Sequence, residues 1–172
     1  MNPIKLLAAV LVFGLLTTPS FSESSPTDSG NARIWATAIS KNEAADRQIL
    51  FRYIHEFEPG FERAAYPHRI VITWDYEAQN GMPDHAELES MYRLEDLLKP
   101  VAEDSGLAVL TMVSTGEGLR EWTYYARSEE AFFKALNAVL ASEARFPIEI
   151  HAAEDLPWKT YQDFRSGVYE KP

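Results

Sequence analysis

Hydrophobic and polar positions recur along this chain with two periods, and the period predicts the element. Arg33 to Ile39 (RIWATAI) reads as a strand. In Gln48 to Phe57, Leu50, Arg52, Ile54 and Glu56 alternate with Phe51, Tyr53, His55 and Phe57, which predicts a second strand with one strongly aromatic face. The polar KNEAADR between them has room for a turn of helix. Glu58 to Pro67 contains a Pro-Gly dipeptide and a second proline, and reads as a loop. His68 to Glu77 reads as a strand carrying Ile70, Ile72, Trp74 and Tyr76 on one face. After the turn Asn80 to Asp84 the period lengthens. Leu88, Met91, Leu94, Leu98, Val101 and Ala102 form an apolar arc that predicts a helix from about Asp84 to Glu103. Asp84 is its expected N-cap, Glu87 the capping-box partner, and Pro100 should loosen its last turn.

Gly106 to Thr115 is a strand apolar on both faces, and Gly116-Glu117-Gly118 turns the chain back into Leu119 to Arg127. Ser128 caps a second helix with Glu129 and Glu130 in its first turn, where carboxylates favour the helix dipole. Phe132, Phe133, Leu136, Val139 and Leu140 supply its apolar face. Pro147 to His151 is a short strand, and Asp155 to Arg165 a terminal helical turn packed by Trp158, Tyr161 and Phe164. From His68 to His151 the order is thus β-α-β-β-α-β. Right-handed crossovers then predict a ferredoxin-like α+β sandwich, an antiparallel sheet with both helices on one face, extended by the N-terminal strand pair.

Residues 33–172 form one expected domain. Residues 1–22 read as a secretory signal peptide: Lys5, an apolar run from Leu6 to Leu16, Pro19, and small residues before Glu23. That run falls short of the roughly 20 residues a permanent membrane span needs. Residues 23–32, rich in Ser, Pro, Gly and Asp, read as a flexible lead-in. The expected product is exported, to the periplasm or the medium, with no stable membrane insertion after signal removal. A hydrophobic content of 46% with 12% aromatic residues argues against disorder. The chain has no cysteine, which excludes disulfides, a thiol nucleophile and a lipid-modified cysteine. Its net charge of −10 disfavours nucleic acid and anionic membrane surfaces.

Met82-Pro83 before an acidic helix with Leu94-Glu95-Asp96-Leu97-Leu98, the hairpin residues Arg120-Glu121-Trp122-Thr123-Tyr124-Tyr125, Pro147-Ile148-Glu149-Ile150 and Trp158-Lys159-Thr160-Tyr161 occur in this order. Together they resemble the bacterial domain of unknown function 695. The resemblance spans roughly Arg33 to Arg165 and implies an α+β domain with no established activity.

Two constellations are candidates for chemistry. If Trp74 faces the helices, Asp75 faces the other way, and Glu121, Glu149 and His151 can share that surface with Thr123 and Tyr125. Clustered carboxylates and a histidine offer acid–base catalysis or metal ligation, although an open sheet face is polar simply because water touches it. Glu95 lies within the helix arc between Met91 and Leu98; a partly buried carboxylate requires a partner, and Arg120 is the candidate. Trp74, Trp122, Tyr124 and Tyr125 are candidates for an aromatic binding wall, although aromatic residues at strand alternation more often belong to the core. Asp84, His85 and Glu87 make at most a partial metal site that capping explains equally well. No serine elbow, phosphate loop or HExxH pair is present. No cofactor or metal is expected. The leading expectation is a non-enzymatic binding domain for an unknown protein or small-molecule ligand. The alternatives are a small metal-dependent or acid/base hydrolase using Asp75, Glu121, Glu149 and His151, and an acidic inhibitor or immunity-type protein.

Overall fold

A computed structural model describes residues 6–8, 33–42, 47–78 and 80–170. Of the stretches read as a signal peptide (1–22) and a lead-in (23–32), all but Leu6–Ala8 lie outside the described residues, as do residues 43–46 of the KNEAADR connection. Among the described residues the strands are β1 (Leu6–Ala8), β2 (Ile34–Asn42), β3 (Arg47–Glu56), β4 (His68–Asp75), β5 (Ala108–Gly116), β6 (Leu119–Ala126), β7 (Ile148–Glu154) and β8 (Tyr169–Glu170). They form one sheet in the order β7-β4-β6-β5-β3-β2-β1-β8. The six strands from β7 to β2 pair antiparallel throughout. The helices are α1 (His85–Leu98), α2 (Glu129–Leu140) and α3 (Lys159–Gly167).

Local chemistry sets the helix starts. Asp84 accepts from the Glu87 N–H at 2.8 Å, and Ser128 accepts from Ala131 N–H at 3.2 Å. The Glu87 carboxylate does not complete a capping box: it accepts from Trp74 Nε1 at 2.5 Å instead, because β4 passes beside the first turn. Pro100 has no N–H to give, and α1 runs on as a wider π-helical turn over Lys99–Asp104. In the β5–β6 hairpin Glu117 and Gly118 both have positive φ, +56° and +78°, the signature of a two-residue type I′ turn. Gly116 at φ +153° lies so close to β3 that a Cβ would meet Gln48 O at 2.3 Å.

The main core lies between the sheet and α1 and α2, with Ile70, Ile72, Trp74, Trp122, Tyr124, Met91, Leu94, Leu98, Phe132 and Leu136 all buried. The two helices expected on one face, α1 and α2, lie there, and the opposite face is covered as well, by α3. Neighbours of those residues point the other way, and Val109 and Tyr125 pack there with Trp158 and Tyr161, which bracket the start of α3. Phe164 of α3 lies with Phe51 and Tyr53 of β3, ring centroids 5.2 Å apart in both pairs. The reason is the aromatic side of β3: β3 pairs with β5, so its apolar face continues the second face of the sheet and needs a cover. A bulge between Leu110 and Met112, where Thr111 donates to Thr123 O at 3.0 Å, serves both sides of β5.

Trp158 anchors this second layer. It is fully buried, stacks on Tyr125 with centroids 4.0 Å apart, and donates from Nε1 to Tyr66 O at 2.8 Å. Trp158→Ala should therefore lower unfolding stability by about 4 kcal/mol through cavity formation. Trp158→Phe, which keeps a ring and loses the hydrogen bond, should cost about 1–2 kcal/mol. Urea unfolding followed by tryptophan-independent circular dichroism measures both; equal, small losses would mean that α3 is not part of the cooperative core.

Candidate functional site

Glu95 sits one residue round α1 from Leu94, at the rim of the apolar arc. Its Oε1 accepts from Arg120 Nη2 at 2.5 Å and from Trp122 Nε1 at 2.8 Å, and its Oε2 accepts from Arg52 Nη2 at 2.6 Å. Arg120 and Trp122 alternate with Glu121 on β6, so both face α1. Arg52 reaches the group because β3 pairs with β5, placing Arg52 opposite Val113. Arg120 also donates to Thr115 Oγ1 at 3.1 Å, and its guanidinium lies over Trp122 and Tyr92 at 5.1 and 5.4 Å. Arg52 lies over Trp35 at 5.2 Å. Arg120 is 6% exposed and Arg52 46%, so the site grades from dry to wet along one line of charge.

Two guanidiniums share one carboxylate, which leaves a local surplus of one positive charge in a chain of net −10. Burial pushes the Glu95 carboxyl up, and Arg52, the Trp122 N–H and Arg120 together outweigh it, holding the group below its ordinary value of 4.5. Glu95 is thus a fixed anion held by three donors, suited to positioning rather than proton transfer, while the buried Arg120 Nε has no hydrogen-bond partner among the described residues. Around the exposed Arg52, the side chains of Trp35, Leu50 and Tyr92 stay open to water at 38%, 39% and 48%. They form an aromatic shelf where β2 and β3 extend beyond α1. Beside Tyr92 a wide-open hollow of about 440 Å³ is lined by Glu89, Tyr92, Arg93, Asp96 and Leu97, too polar and too open to enclose a small molecule.

Of the four expected binding residues, Glu95, Arg120 and Trp122 meet. Tyr125 does not join them: three positions on from Trp122 it faces α3, donating to Asp155 Oδ2 at 2.7 Å. Burial, then the Asp155 carboxylate, raise its hydroxyl pKa. Asp155, in turn, accepts from Lys159 and Thr160 N–H and is held below its usual range, burial being outweighed by the Tyr125 hydroxyl and these donors.

The residues of the carboxylate–histidine set share a face but do not form one group. Thr73 pairs with Glu121 on one side and Glu149 on the other, so a whole strand separates the two carboxylates, about 10 Å at normal strand spacing. Glu121 accepts from Ser114 Oγ at 3.3 Å. His151 Nε2 is 3.9 Å from Glu149 Oε2, with both side chains mostly in water, and Asp75 is exposed at the end of β4. Among the described residues no three His, Asp or Glu side chains gather to hold a metal ion. Asp84 and Glu87 are committed to the α1 cap and to Trp74, and His85 contacts Glu89. Arg52, Trp35 and Tyr92 were not singled out from the sequence. The one signal was Arg52 itself, a charge alternating with Leu50 and Ile54 on the non-aromatic side of a strand.

Glu103, on the turn that follows α1, provides a built-in contrast. Burial raises its carboxyl, and Arg33, 3.9 Å away, offsets this in part. The signs then oppose. Glu95 titrates lower folded than unfolded, so its contribution is whole above about pH 4.5 and fades as pH falls through the folded value. Glu103 titrates higher folded, so its protonated form is favoured by the fold and its charge is a cost at pH 7. Glu95→Gln should cost about 3 kcal/mol at pH 7, since Arg120 stays buried without a counter-charge, and should flatten the acid limb of the stability curve. Glu103→Gln should raise stability at pH 7 by up to about 1 kcal/mol. Unfolding at pH 7 and pH 4 checks both; a shared sign would refute this assignment of charge.

No curated protein matches the chain. The stretch that builds the shelf, the Glu95 cluster and most of α3 is matched, over residues 34–165, by the model of a family of unknown function, and the chain belongs to that family, DUF695.

Proposed function

We propose that this protein is an exported, non-enzymatic binding domain that receives a protein partner on the aromatic shelf beside α1. One observation carries the reading: Trp35, Leu50 and Tyr92 are all exposed around a half-exposed Arg52 that belongs to a fixed charge cluster. Exposed aromatic and arginine side chains over a rigid base are the composition of interface hot spots. Glu95, Arg120 and Trp122 act as that base, because two hydrogen bonds, from Arg120 and Trp122, hold Arg52's counter-ion in place. The half-exposed Arg52 presents its positive charge beside Trp35, which favours a carboxylate-bearing group of the partner at that point. The layout of residues 1–22 supports export. The order β7-β4-β6-β5 around α1 and α2 supports reading that part as a ferredoxin-like unit, with β3 and β2 added to carry the shelf.

Immobilised chain 23–172 should retain a partner from the native cell-envelope extract, and the double variant Trp35→Ser, Tyr92→Ser should retain at least about tenfold less while keeping its circular dichroism spectrum. Undiminished retention by the variant would place the interface elsewhere. No retained partner, together with a melting temperature raised by a divalent metal and restored by chelator, would favour metal-dependent chemistry instead.

A further inference from the structure

The outer edge of the sheet holds an arrangement that export would change. β2 is nine residues long, lacks proline and carries a single lysine, Lys41, so it has few of the features that normally protect an edge strand. Here β1 lies on it antiparallel over three pairs, Leu6 with Ser40, Leu7 with Ile39 and Ala8 with Ala38. Those β1 residues belong to the apolar leader. β8 lies outside β1 and parallel to it, pairing Leu7 with Tyr169 and Ala8 with Glu170. Being parallel to β1, β8 runs antiparallel to β2. The shared partners also set its register: Tyr169 is level with Ile39, and Glu170 with Ala38.

We infer that β8 is the strand that closes the β2 edge once the leader is removed, and that β1 is its placeholder in the precursor. Direction and register are already those of an antiparallel β2–β8 pair, so the move is one strand spacing, about 4.8 Å, with no reversal of the chain. The segment is tethered where it must land. Val168, the residue before β8, is 8% exposed and packs in one cluster with Ala38 of β2 and Tyr53 of β3. α3 is fixed just upstream by Phe164 against Phe51 and Tyr53, and by the Tyr161 hydroxyl donating to Ile54 O. A strand held this close has an effective concentration in the millimolar range or above, so it outcompetes a second copy of the chain for the vacated edge. The consequence is a sheet whose weak edge is covered before processing by the leader and afterwards by the chain's own end segment. Edge-to-edge association is suppressed in both states, and the shelf face of β2 stays free for a partner. The biological occasion for the exchange rests on the export reading above.

The absence of cysteine makes the test clean. Ile39→Cys with Tyr169→Cys, and in a second variant Ala38→Cys with Glu170→Cys, are oxidised with glutathione disulfide in chain 23–172 and in chain 1–172. Directly opposed residues lie about 5 Å apart, within disulfide reach, whereas with β1 between them they lie about 10 Å apart, beyond it. The expected result is an intramolecular disulfide in chain 23–172, at least about tenfold more abundant than in chain 1–172, in one or both variants. Free thiols in both variants of chain 23–172, equal yields in the two chains, or an intermolecular disulfide at micromolar protein would each overturn the inference. The mass of the protein recovered outside the cytoplasm of an expressing cell reads the export proposal separately. A retained leader there would sink that proposal and leave the disulfide result on chain 23–172 to stand alone.

Discussion

Taking the Glu95 carboxylate out of water costs several kcal/mol unless donors replace its hydration, and the three donors come from two different strands. Arg120 and Trp122 fix β6 beneath α1, while Arg52 brings in β3, which reaches the cluster only by pairing with β5. The hydrophobic contacts of α1 would tolerate some sliding of the helix along the sheet. A carboxylate with donors at 2.5, 2.6 and 2.8 Å does not. The placement of α1, the attachment of the β2–β3 extension and the exposure of Arg52 therefore follow from one matched charge.

The second constraint is that the central strands are apolar on both faces. Tyr124 and Tyr125 are adjacent and both buried, one against Phe132 of α2 and the other against Trp158. A sheet built this way needs two covers, and α3 with the 57–66 loop supplies the second. Phe57, Phe61, Tyr66 and Trp158 interlock there, and Arg63 lies over the rings of Phe57, Trp158 and Tyr161. Among the described residues, that cover leaves open the polar end of the α3 face, with Glu149 and His151, and the shelf beside α1. The first offers separate solvated side chains. The second offers aromatic surface on a rigid, charged base, which is why the proposed interface is placed there.

The electrostatics sharpen the distinction. In a chain of net −10, the Arg52–Glu95–Arg120 line is a local reversal of sign, and it is built into the packing of two strands and a helix. Glu103 shows how much the donors matter: a buried carboxylate eight residues further on, with a 3.9 Å contact to Arg33, shifts in the opposite direction. The two groups differ in hydrogen-bond donors far more than in burial.

What the sequence determined by itself was local. The 3.6-residue arc of α1, the two-residue alternation in β4 and β6, the Asp84 and Ser128 caps and the Glu117-Gly118 turn depend on neighbours within a few positions, and each was legible there. The Glu95–Arg120 pair was legible too, because a carboxylate in an apolar arc requires a cation and β6 begins with one. Tertiary structure alone decided the rest. Alternation tells which residues share a face, but not which strand lies next to which or what covers that face. Arg52 became part of the cluster only through the β3–β5 pairing, and Glu121 and Glu149 were kept apart by the strand that runs between them. Those outcomes depend on contacts between residues tens of positions apart, which the pattern along the chain does not encode.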